Sequence, residues 1–334
     1  MEGINRIVSD IQKGFIKPIY FLMGEESYYI DKIADFIENT ILSEEEKGFN
    51  QMVLYGRDVS VDEIVSNAKR YPMMAERQVV IVKEAQELSR TIENLVAYAE
   101  NPQPSTVLVL CYKYKTLDKR KKLSKVITKN GVLFESKKLY ENQVGEWIRR
   151  VLSGKSYKIE TKATLMLVEF LGTDLSKINN ELEKLMLILP KESLITPLHI
   201  EENIGISKDF NNFELRKAVG AKQVVKANQI INYFAENPKS NPLVMTISLL
   251  NSFFTQLLIY HSLKNKSKGN VAKILRVNPY FVGDYESAAR NYPMRKVSQT
   301  ISLLRDADLK SKGVGAANLP PGDILKELLY KMMH

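Results

Sequence analysis

The stretch Lys17-Pro18-Ile19-Tyr20-Phe21-Leu22-Met23-Gly24-Glu25-Glu26-Ser27-Tyr28-Tyr29 decides how the first part of the chain is read. Residues 19–23 are an unbroken apolar run that stops at Gly24, which predicts a buried strand closed by a glycine turn. From Ser27 to Ile37 apolar residues recur at helical spacing, so a helix is expected immediately behind the turn. Working outward, residues 52–55, 79–82, 106–112 and 132–135 carry further strand signals. Between them lie a helix opened by Ser60 as N-cap with Glu63 at the capping-box position, and a second over 91–99. Strands that alternate with helices, several of them continuous apolar runs, predict an α/β domain with a parallel sheet flanked by helices.

In such a sheet a nucleotide binds at the carboxyl ends of the strands, so Gly24, Glu25, Glu26 and Ser27 stand where a phosphate loop belongs. A working loop needs glycine-rich backbone, a Lys that reaches the phosphates and a Ser or Thr for magnesium. Here two carboxylates face the place of the phosphates, no Lys-Ser or Lys-Thr pair follows, and like-charge repulsion opposes a triphosphate. Gly154-Lys155-Ser156 imitates the end of such a loop, but Arg149 stands where the first Gly is required and no strand precedes it. The phosphate loop is read as degenerate, with no nucleotide or other cofactor and no catalytic residue expected.

The chain has 334 residues, 44% hydrophobic and 26% charged, a size that predicts two or three soluble domains. It opens on the polar Met1-Glu2-Gly3-Ile4-Asn5-Arg6, in which no secretory signal is read. One cysteine, Cys111, sits in an apolar run, and His199, His261 and His334 are far apart, so neither a disulfide nor a metal site is expected. Those features predict a cytoplasmic protein with no membrane partner. From Tyr140 onward the pattern is helical only. The expected organisation is 1–140 for the sheet domain, 141–209 for a small bundle of three helices and 210–334 for an all-α C-terminal domain. Leu249, Leu250, Phe253, Phe254, Leu257 and Leu258 fall at helical spacing and make a broad apolar face, read as bundle core or as a subunit interface.

Two surface features compete as binding sites. Tyr71-Pro72-Met73-Met74-Ala75 is a short apolar segment just before the strand at 79–82, and flexible Met side chains there suit either internal packing or a partner's pocket. Lys113, Lys115, Lys119, Arg120, Lys121, Lys122, Lys125 and Lys129 form a basic cluster with Asp118 as its single acid, in a chain of net charge +9. That cluster is either a solvated helix face or a contact for nucleic-acid phosphates, and the second option makes a stand-alone, non-specific DNA-binding protein the alternative function.

Three stretches and a fourth near the end carry a resemblance over essentially the full length: residues 18–26, residues 71–82, the run Val271-Ala272-Lys273-Ile274-Leu275-Arg276-Val277-Asn278-Pro279-Tyr280-Phe281-Val282, and Leu303-Leu304-Arg305-Asp306-Ala307-Asp308-Leu309-Lys310-Ser311-Lys312-Gly313. In order and spacing they resemble the delta subunits of the bacterial DNA polymerase III clamp loader. The resemblance implies a catalytically silent AAA+-like first domain, a small helical lid and a helical collar that joins an oligomeric ring. It further implies that an apolar helix tip inserts into the ring-shaped sliding clamp, the beta subunit, and that the subunit opens or holds open that ring for primed DNA. The tip residues match Met73 and Met74, flanked by Tyr71, Pro72 and Ala75. ATP hydrolysis would belong to partner subunits reached through the collar, including its 249–258 face. The nucleotidyl transfer of the DNA polymerase III holoenzyme would belong to the assembly and not to this chain.

Overall fold

The computed structural model describes residues 2–315 and 319–334. It divides into two compact units, Met1–Leu139 and Tyr140–His334.

The first unit runs α1 (Glu2–Gln12), β1 (Ile19–Gly24), α2 (Ser27–Thr40), α3 (Glu44–Asn50), β2 (Gln51–Tyr55), α4 (Val61–Ala68), β3 (Gln78–Lys83), α5 (Val96–Glu100), β4 (Thr106–Lys113), α6 (Lys122–Asn130) and β5 (Val132–Ser136). The strands form one five-stranded sheet in the order β2-β3-β4-β1-β5. Every pairing is parallel, for example Ile19 opposite Leu108 and Tyr20 opposite Val132. The period-2 alternation sorts the apolar runs onto two faces. Ile19, Phe21, Met23, Val80, Val82, Leu108 and Leu110 pack on the side that holds α4, α5 and α6. Tyr20, Leu22, Val79, Ile81, Val107, Val109 and Cys111 pack on the side of α1 and α2. Both faces are covered, which is why these strands read as unbroken apolar runs. Burial pushes the Cys111 thiol up to about 12, an inert core group.

The expected helix over 91–99 is a 3-10 turn at Ile92–Leu95 running into the short α5. Helices α1 and α3 lie in segments where the sequence pattern predicts no element. The start of α3 carries a capping box between Ser43 and Glu46.

The second unit contains α7 (Glu141–Ser153), β6 (Lys158–Ile159), α8 (Thr161–Leu171), α9 (Leu175–Ile188), β7 (Leu194–Ile195) and α10 (Pro197–Ile204). Then follow α11 (Asn212–Gly220), α12 (Val224–Glu236), α13 (Leu243–Ser262), α14 (Lys268–Leu275), α15 (Val282–Asn291), α16 (Met294–Ser311) and α17 (Pro321–Met333). The parallel pair β6–β7, Lys158 opposite Leu194, interrupts a region expected to be helical only. Two-residue strands leave too little periodicity to be read.

Helix α13 is the axis of the C-terminal core. Thr246, Ile247, Leu250, Phe253, Phe254, Leu257 and Tyr260 are buried, and Phe253 packs at 4.9 Å from Tyr285 while Phe254 packs edge-on at 5.1 Å from Tyr292. By length and composition α13 could cross a membrane. Its buried face belongs to this chain's own core, and Asn251, Ser252 and Thr255 are exposed on the other side. The expectation that residues 249–258 link this chain to other subunits is corrected by the same burial. Leu250, Phe253, Phe254 and Leu257 are spent inside the bundle. Each such buried side chain is worth about 1.5–3 kcal/mol to this fold, so exposing them to a partner would cost more than it returned.

Candidate functional site

The apolar segment 71–75 lies in the loop between α4 and β3. Helix α4 stops at Ala68, so the expected helix tip is corrected: Met73 and Met74 are presented by a loop. The loop is held at both ends. At its start the last carbonyls of α4, which a helix cannot satisfy itself, accept from strand side chains. Gln78 Nε2 lies 3.4 Å from Ala68 O and 2.5 Å from Arg70 O, and Thr106 Oγ1 donates to Ala68 O at 2.8 Å. At its crest the buried side chain of Asn50, the last residue of α3, receives the Met73 N–H on Oδ1 at 2.6 Å and donates from Nδ2 to Met73 O at 2.9 Å. The next residue, Met74, has φ +54°, a left-handed conformation rare outside glycine.

Backbone fixation here exposes side chains. Met74 is fully exposed, Met73 is 59% and Tyr71 79% exposed, while Pro72 and Ala75 are half-buried. Long apolar side chains in water on a restrained backbone are suited to insertion into an apolar pocket with little ordering cost.

At the carboxyl end of β1 the connection to α2 is only Glu25–Glu26, too short to wrap a phosphate. Its amides are already used. Gly24 N–H donates to Lys115 O at 3.0 Å and Glu25 N–H to Ser136 O at 3.3 Å. Glu26 N–H donates to Ser136 Oγ at 3.2 Å. The Glu26 carboxylate caps α2 by accepting Tyr28 N–H at 3.2 Å, so the positive end of the helix faces a fixed anion of the chain itself. Gly24 has φ +124°, and a Cβ there would lie 2.1 Å from Ser136 O, so the turn closes directly onto β5. Ser27 is the first residue of α2.

Five members of the basic cluster, Lys113, Lys119, Arg120, Lys121 and Lys122, are drawn into ion pairs. Lys113 Nζ lies 2.9 Å from Asp31 and 3.0 Å from Glu84, and its side chain is largely buried. Burial opposes its charge, but the two carboxylates outweigh that and raise its pKa. Burial likewise raises the pKa of Glu84, but hydrogen bonds from Gln86 and Lys113 outweigh it and leave it lowered. Lys115 bonds Gln86 O and Ser89 Oγ. Lys119 pairs with Glu135, Lys121 with Glu93 and Lys122 with Glu100. Arg120 pairs bidentately with Asp118. A run with one acid in sequence is thus a mixed-charge face in space.

Two family models match the chain, one for the DNA polymerase III delta subunit at residues 20–137 and one for the C-terminal domain of that subunit at 209–318. The chain belongs to the DNA polymerase III delta subunit family. It is 26% identical over 314 residues to DNA polymerase III subunit delta of Bacillus subtilis, covering 90% of each chain. It aligns with the solved DNA clamp loader delta protein YqeN of Bacillus subtilis over 99% of both chains, at 25% identity and a TM-score of 0.58. The architecture expected from the resemblance, a parallel sheet flanked by helices and followed by helical parts, is the one found in this delta subunit family member.

The family resemblance pointed to the tip but not to its support. Asn50 and its neighbour Phe49 lie in α3, which the Ser43-to-Glu46 spacing could have revealed. A second unforeseen cluster lies in the other unit. Burial pushes Glu169 of α8 up to about 8, against the lowering field of Arg216 and the hydrogen bonds from Phe213 N–H and Asn212, with Glu141 adding to the rise. One Glu169 oxygen and Asn212 Oδ1 have no hydrogen-bond partner. Arg216 stacks 4.1 Å over Phe281 and lies 3.7 Å from Asp284. No group of His, Cys, Asp and Glu suited to a metal ion occurs among the described residues.

Proposed function

We propose that this chain binds the ring-shaped sliding clamp through Tyr71, Pro72, Met73, Met74 and Ala75, and opens the ring or holds it open for loading onto primed DNA, without hydrolysing ATP. Membership of the delta subunit family supports a role in the DNA polymerase III clamp loader. The observation that carries the finer reading is the exposed Met73–Met74 pair on a loop pinned by Asn50. A fully buried Met is worth about 1.5–3 kcal/mol, so the pair can anchor a small interface. Ring opening then follows from tighter binding to the open than to the closed ring, since a ligand with equal affinity for both shifts nothing.

The self-satisfied amides after β1 and the Glu26 cap support a chain that takes no nucleotide. ATP hydrolysis then falls to partner subunits, reached through surfaces of 210–334 other than the buried α13 face, with 141–209 as the lid. A place in the cytoplasm goes with that role. The paired state of Lys113, Lys119, Arg120, Lys121 and Lys122 does not favour a stand-alone DNA-binding protein.

Calorimetric titration of the chain with the sliding clamp of the same cell tests the reading, beside the variant Met73→Ala, Met74→Ala checked for unchanged helicity. Binding lost in the variant supports it. Binding that survives the double substitution, or tight clamp-independent DNA binding that falls steeply with salt, would count against it.

A further inference from the structure

The contact described above is too small as it stands. The loop residues Tyr71, Pro72, Met73, Met74 and Ala75 fall short of the about 800 Å², or roughly 20–30 residues, that each partner contributes to a stable interface of ordinary size. The missing area must come from neighbouring side chains, and it must be apolar to share a desolvated pocket.

One residue next to the Asn50 anchor fits. Helix α3 reads Glu44-Glu45-Glu46-Lys47-Gly48-Phe49-Asn50, with Phe49 its single large apolar side chain. Asn50 is buried and bonded to Met73, whereas Phe49, one residue earlier, is 77% exposed. No ring contact of Phe49 occurs among the described residues, so this chain gains little from holding a phenyl ring there. An aromatic side chain can bury about 150–250 Å² at an interface, more than any other addition near the loop.

We infer that Phe49 is a second apolar anchor for the sliding clamp, supplied by α3 and held beside the Met73–Met74 loop by the Asn50 side chain, so that the docking surface spans two segments of the sheet unit. The inference rests on the clamp-binding reading given above. The two segments are tied together: Phe49 precedes Asn50 in the last turn of α3, and the Asn50 side chain is bonded to Met73. Its occupant needs an apolar hollow wide enough for a ring beside a methionine pair, with tolerance for the carboxylates of Glu44 and Glu45 on the same helix.

The test is calorimetric titration of the full chain with the sliding clamp for the wild type, Phe49→Ala, Phe49→Leu and the Met73→Ala, Met74→Ala variant, with thermal unfolding of each. An exposed ring can be removed with little effect on folding, so Phe49→Ala should keep the wild-type melting temperature. It should weaken clamp binding by about tenfold, with Phe49→Leu restoring most of the affinity. If Phe49→Ala binds like the wild type while the methionine variant does not, the second anchor is wrong and the loop reading stands. If the wild type does not bind the clamp, both readings fail together. Self-association in sedimentation velocity that Phe49→Ala abolishes, with clamp binding unchanged, would assign the patch to a second copy of the chain and overturn the inference.

Discussion

Asn50 grips the backbone of Met73 from both sides, accepting its N–H at 2.6 Å and donating to its carbonyl at 2.9 Å. The Asn side chain thereby acts as a strand would, pairing with one residue of a loop that has no ladder of its own. With Met73 fixed, Met74 is held at φ +54°, a conformation that costs about 1–2 kcal/mol for a residue with a Cβ. Such strain persists only where surrounding contacts determine it, and it concentrates at binding sites.

Replacing Asn50 by Ala should therefore free the loop while leaving the methionines in place. Loss of two hydrogen bonds should cost about 1–3 kcal/mol of stability, read as a lower urea midpoint. Clamp affinity should fall by about tenfold through the added ordering cost. In the Met73→Ala, Met74→Ala background the same substitution should cost less affinity, because only Tyr71, Pro72 and Ala75 of the loop remain to be positioned. Additive losses in that double-mutant cycle would mean that Asn50 acts on the fold alone.

Gly24 tests the closure of the phosphate-loop position. Its φ of +124° and the 2.1 Å approach of a built Cβ to Ser136 O leave no room for alanine. Gly24→Ala should destabilise the sheet unit by about 2–4 kcal/mol. Chemical denaturation followed by far-ultraviolet circular dichroism reads this directly, and a midpoint within error of wild type would mean that the turn re-forms away from β5.

The sheet was legible because burial on both faces forces apolar runs such as 19–23 and 106–112, and few other structures need them. The tip was legible only in part. Two methionines at 73 and 74 could equally have packed inside, and what exposes them is a contact from Asn50, 23 residues away in sequence. The basic cluster misled for the same reason: Asp31, Glu84, Glu93, Glu100 and Glu135 come from four other segments, and only the folded sheet brings them to Lys113, Lys121, Lys122 and Lys119. Charge counted along a chain omits every acid that arrives from elsewhere.

Lys113 is the member of that cluster with a structural duty. Lys113→Met would leave Asp31 and Glu84 facing the same space without their cation. Both carboxylates are partly in water, so screening limits the loss to about 1–2 kcal/mol. The further change Asp31→Asn should recover part of it by removing one of the two like charges. Urea unfolding of the single and double variants checks this, and a double variant less stable than Lys113→Met would exclude repulsion as the cause.

Glu169 makes stability fall as pH rises. In the folded protein burial keeps its carboxyl protonated up to about 8, against 4.5 for an ordinary Glu. Between those values the folded state holds a proton that the unfolded state has released. Stability from this group is therefore complete below the unfolded value and is lost as pH rises through the folded one. Glu169→Gln keeps the shape and the acceptor for Phe213 N–H, and cannot ionise. Its advantage over the wild type should be small near pH 5, grow through neutrality to on the order of 4 kcal/mol near pH 8, and level off above that. Urea midpoints for both proteins across this range give the difference curve. A flat difference would mean that Glu169 is ionised in the fold at neutral pH, paired with Arg216 and hydrated.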